Sequence, residues 1–211
     1  MRRAFRSYKA LTLKSYRVAV FVVRPLFMLA AAFILMWTSG EKDGLYPENL
    51  LFAFAAAGDV MLDGALFGGI CQRGAACLGY MRTSDRGMAV FSGGLLVDML
   101  FRFLYYMLIG GWCFLFTGLS QDFAAAALAY TAVTATICFT RHFDNWQVDL
   151  LCSAGIAILF SVLYLTFGIL QNRLAVDLQP AAAVLCVTVS YAAARHMSWC
   201  LKRSYYEKES L

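Results

Sequence analysis

The chain has 211 residues, of which 61% are hydrophobic, 15% aromatic and 15% charged, with a net charge of +5 and a mean hydropathy of +0.65. Soluble domains are about 45–50% apolar and about 25% charged, and a chain this short has too little interior to bury the excess. This excludes an ordinary soluble domain, a disordered chain and a nucleic-acid-binding module, and leaves an all-α polytopic membrane protein, one helix bundle over residues 1–211.

Crossing a bilayer takes about 20 mostly apolar residues, and six runs qualify: Val18–Trp37, Leu50–Ile70, Val97–Phe116, Phe123–Thr140, Leu150–Leu170 and Pro180–Ala194. The N-terminal segment, residues 1–24, is basic and amphipathic and overlaps the start of the first run. Arg24-Pro25 interrupts the first run. Either an interfacial helix ends at Arg24 and a span begins at Pro25, where proline suits a helix start, or one helix kinks there while Arg24 snorkels to the headgroups. Basic residues alternate between loops. Arg2, Arg3, Arg6, Lys9, Lys14 and Arg17 precede the first span, whereas the next loop carries Glu41, Asp43 and Glu48 against Lys42. The positive-inside rule then places both termini in the cytoplasm of a multi-pass cell-membrane protein, with an even number of spans. Trp37, Tyr46, Trp146, Trp199, Tyr205 and Tyr206 fall near span ends, as an interfacial belt requires.

The longest connection, residues 71–96, is cytoplasmic. Within it Ala75–Arg82 forms a short amphipathic helix with Leu78 and Met81 on one side, and Thr83, Ser84 or Asp85 caps a following helix that starts near Arg86. A basic, partly apolar helix suits a partner's groove or lipid headgroups. Ala53–Ala57, Ala124–Ala127, Ala181–Ala183, Gly64, Gly68 and Gly110-Gly111 are expected packing faces, since small residues let helices approach closely. Seven cysteines, none in the expected outside loops, read as small apolar residues and not as a disulfide framework.

Ionisable residues at membrane depth are costly and mark candidate sites. Asp59 and Asp63 stand four apart, so both project from one helical face. They read as a cation or proton site, as the lining of a substrate path, or as a structural pair with arginine or hydroxyl partners on a neighbouring helix. Asp98 and Arg102 open the third span as an i,i+4 ion pair; Arg102 answering Asp63 across helices is the alternative. Cys71, Cys77, His142, His196 and Cys200 match no zinc spacing, and His142 with a cysteine lacks a peptidase signature. No Gly-Lys dipeptide, G-x-S-x-G or H-E-x-x-H occurs, so neither a P-loop nor these hydrolase motifs are present. The reading is a non-enzyme without metal or cofactor.

A basic N-terminal helix, six spans with both ends inside, and a long cytoplasmic connection between spans two and three together resemble the permease subunits of ABC-2-type transporters. The sequence part of the resemblance is Leu78-Gly-Tyr-Met-Arg-Thr-Ser-Asp-Arg-Gly, followed by Gly93-Gly94-Leu95-Leu96. The chain departs from that pattern at Asp85, where the family often has proline, and in the brevity of Gln171–Gln179. The resemblance implies a coupling helix whose Leu78, Tyr80, Met81, Arg82 and Arg86 dock on a separate cytoplasmic ATPase. It also implies a homo- or heterodimer of membrane subunits enclosing the transport path, with Asp59 and Asp63 lining or bracing it. Two other classes fit the same composition: the substrate-capturing membrane subunit of an energy-coupled uptake system, and a non-transport scaffold or accessory protein.

Overall fold

The computed structural model describes residues 2–12, 14–38, 84, 86–117, 121–140 and 179–209, with parts of 51–59 and 151–170. Every element among them is helical, so the all-α class holds. Helix α1 (Arg2–Leu11) is amphipathic: Ala4, Tyr8 and Leu11 recur at helical spacing and turn inward, while Arg2, Arg3, Arg6 and Lys9 are exposed. Its C-terminal carbonyls are satisfied from outside the helix. Arg17 Nη1 donates to Lys9 O at 2.8 Å and to Thr12 O at 2.7 Å, a cation placed where the helix dipole is negative.

Helix α2 (Lys14–Val18), a π-helical turn (Ala19–Val23) and α3 (Arg24–Thr38) follow one another without a break. In the π turn the Arg24 N–H bonds to Ala19 O, five residues back. Pro25 has no N–H to give, and its ring would collide with the carbonyl four residues earlier; a widened turn just ahead of it relieves both constraints. The chain therefore stays helical through Arg24-Pro25.

Helix α4 (Gly87–Thr117) starts ten residues before the expected span at Val97. Gly87 N–H donates to Ser84 O at 2.9 Å, which sets the start close to Arg86. The helix expected to start near Arg86 is there, but residues 87–96, assigned with the 71–96 connection, run on without a break into the expected span. They form the first three turns of α4, because their small and apolar side chains have α1 to pack on: Phe91 and Leu95 are buried. The crossing is tight at two glycines. A Cβ on Gly93 would stand 3.4 Å from Ala4 Cα, and one on Gly94 would strike the tip of Leu11.

Helix α5 (Gln121–Thr140) packs between α4 and α6 (Gln179–Glu209) and is the most buried element, with Ala125 through Thr134 all inside. Here too the approach is close, since a Cβ on Gly110 would lie 2.8 Å from Ala126 Cβ and 3.1 Å from Asp122 O. The α5–α6 seam is partly polar: Ser190 Oγ donates to Cys186 O at 2.6 Å and meets the Tyr130 hydroxyl at 3.3 Å. Helix α6 runs beyond Ala194 to Glu209, because Arg195 through Glu209 contains neither glycine nor proline to end it.

Six membrane-length helices are not what the described residues show. One, Gly87–Leu115, is long and apolar enough to cross a bilayer by length and composition; Ala19–Ile34 and Asp122–Cys138 are shorter apolar helices. The expected spans Leu50–Ile70 and Leu150–Leu170 are described only in part. Large apolar side chains face outward over much of the surface, including Phe27 at 67% exposure and Leu115 at 75%.

Candidate functional site

Apart from Asp122 at the start of α5, the buried charged residues among those described gather around one face of α4. Asp98 and Arg102, four apart on that helix, form an ion pair at 3.0 Å with both side chains buried. One turn further on, Tyr105 presents its ring to Arg24, whose guanidinium carbon lies 3.7 Å from the ring centroid. Arg24 in turn pairs with Asp59, from the helical residues of 51–59, which is 1% exposed. Tyr106, packed edge-on against Tyr105 with centroids 5.6 Å apart, turns its hydroxyl toward Asp59.

The two pairs share one electrostatic environment. Asp98 interacts with Asp59 and Arg24 as well as with Arg102, and Arg24 interacts with Arg102. Two arginines and two aspartates thus make a neutral quartet contributed by α3, residues 51–59 and α4. Pairing is the condition under which charges survive burial, because an isolated one would cost several kcal/mol. Hydrogen bonding in and beside the quartet is incomplete: among the described residues Asp59 Oδ2, Arg24 Nε and the adjacent Tyr106 hydroxyl lack well-formed partners. Cation–π contact with Tyr105 supplies part of what Arg24 Nε does not obtain from hydrogen bonds.

Tyr8 of α1 closes the cluster from the side of the N-terminus. Its ring packs on Phe21 and Phe101, with centroids 6.3 and 5.7 Å away. Burial pushes its phenol above the ordinary range and Asp98 adds to the rise, while Arg102, Arg17 and Arg24 oppose it.

Of the residues singled out in the sequence, Asp59, Asp98 and Arg102 come together. Asp98 and Arg102 lie within α4, not at its start, because that helix begins at Gly87. Arg24 does not snorkel: its side chain is only 11% exposed and points at Asp59. Arg86 is exposed just ahead of α4. Asp63, Leu78, Tyr80, Met81 and Arg82 lie outside the described residues, as do Cys71, Cys77 and His142; His196 packs beside Trp199, with centroids 6.2 Å apart. Sequence reasoning missed Arg24, Tyr105 and Tyr106 as neighbours of Asp59. The available signal was a lone cation in an apolar run. Comparison with protein-family models, with curated proteins and with solved structures finds no match to this chain.

Proposed function

We propose that this chain is a helical membrane protein with six spans and cytoplasmic termini, the permease-type subunit of a transporter driven by a separate ATPase that couples through the 71–96 connection, gripping it at Leu78–Arg86. Support for membrane residence comes from the outward ridge Leu96, Leu100, Leu104, Leu108 and Leu115 on α4, about 29 Å long at 1.5 Å per residue, against a hydrocarbon core of about 30 Å. The observation that carries the coupling idea is that one half of the buried cluster lies on α4 and the other half does not. Asp98, Arg102, Tyr105 and Tyr106 all ride on α4, and α4 begins directly after the proposed gripping segment.

A push on Leu78–Arg86 therefore moves α4 as a rigid rod and shifts Tyr105 and Tyr106 against Arg24 and Asp59, which belong to other segments. Buried pairs re-form in discrete arrangements instead of stretching continuously, the property a two-state transport cycle needs. A second membrane subunit, identical or different, completes the path. The test is co-purification from the native membrane. Tyr80→Asp with Met81→Asp is expected to abolish recovery of an ATPase while leaving membrane insertion intact; undiminished recovery of the ATPase counts against the reading.

A further inference from the structure

The outer face of α1 carries a concentration of charge that the proposed transport role leaves unused. Arg2, Arg3, Arg6 and Lys9 are all exposed, and at 3.6 residues per turn they fall within an arc of about 120°. The opposite arc, centred on Tyr8, is buried against α4. No acidic residue precedes Glu41, so nothing within the first 40 residues neutralises this face.

Its position relative to the apolar exterior is defined. Helix α1 lies on Gly93 and Gly94 and reaches Phe101, beside the start of the outward leucine ridge at Leu96, and the chain leaving it exposes Val18, Val22 and Val23. A basic strip thus borders the end of an apolar surface as long as a bilayer is thick. The orientation of the helix is set by Tyr8, by the glycine crossing and by the Arg17 bonds to the carbonyls at the end of α1, so its basic face stays turned outward, with Lys9 Nζ 5.1 Å from the centre of the Phe5 ring.

We infer that this face binds the headgroups of anionic phospholipids in the cytoplasmic leaflet, selecting them over zwitterionic ones. The inference rests on the membrane reading above. Cations at this depth meet phosphate groups whether or not the lipid is anionic, but only an acidic headgroup leaves negative charge uncompensated for them.

The test places the full-length chain in nanodiscs of equimolar phosphatidylcholine and phosphatidylglycerol and compares the immobilised fraction of a spin-labelled version of each lipid. Phosphatidylglycerol is expected to be held at least about fivefold more. The preference should collapse in R2Q/R3Q/R6Q/K9Q and fall with added salt in the unaltered chain. Because the salt titration needs no variant, it keeps the inference testable even if the fourfold substitution misfolds. A chain that stays embedded while holding both lipids equally overturns this inference alone, as does a preference that survives both the substitutions and high salt. A chain that washes out of the bilayer at alkaline pH overturns the membrane reading and this inference together.

Discussion

Arg24 carries a full positive charge between apolar helices, and two neighbours make that tolerable: the Asp59 carboxylate and the face of Tyr105. Removing one partner leaves the other buried and uncompensated. Asp59→Asn and Arg24→Gln are each expected to destabilise the purified protein by about 3 kcal/mol, and Arg24→Met combined with Asp59→Leu to recover much of the loss. Thermal unfolding in mild detergent reads the cycle; single variants that melt like the parent would show that the pair does not hold the helices. Tyr8 behaves differently, because its buried hydroxyl has no hydrogen-bond partner among the described residues. With its folded pKa raised, the neutral phenol stabilises α1 docking fully below pH of about 10, and that contribution is lost as pH rises beyond it. Tyr8→Phe is expected to leave docking intact at neutral pH and to remove the alkaline loss, followed by protease cleavage within α1.

The two tight crossings between elements look alike in sequence, a Gly-Gly pair in each case, but differ in what opposes a side chain. At Gly94 the obstacle is the tip of Leu11, which can turn aside. At Gly110 it is Ala126 Cβ together with the Asp122 carbonyl, neither of which can move without its helix. Gly94→Ala should therefore cost little, while Gly110→Ala should force α4 and α5 apart at a cost of about 1–3 kcal/mol. Melting temperatures of the two variants decide this, and equal values would contradict it. The Asp98–Arg102 pair was readable at this scale because i,i+4 spacing within one helix is a local fact. That the pair lies well inside α4 was not, since residues 87–96 bury Phe91 and Leu95 where α4 packs on α1, a helix from the far N-terminal end of the chain.

At the scale of the whole molecule, the question is where the exposed apolar surface goes. Leucine, valine and isoleucine side chains stand outward along α4 and α6 and within 151–170, and water does not cover such surface without a large penalty. With a bilayer around it, an even span count puts Arg86 and Lys202 on one side. Single cysteines at these two positions, in an otherwise cysteine-free chain, are expected to react with an impermeant maleimide only from the cytoplasmic face; labelling from opposite faces would remove the six-span arrangement. Composition and hydropathy alone determined the helical class, the apolar exterior and the basic N-terminal face, because these depend on which residues are present and on their spacing along one helix. Only the tertiary structure decided that Arg24 answers Asp59, that Tyr105 and Tyr106 surround them and that α1 sits on α4. Those contacts join segments far apart in the chain, where no periodicity links one residue to the other and only the meeting of two surfaces selects the partner.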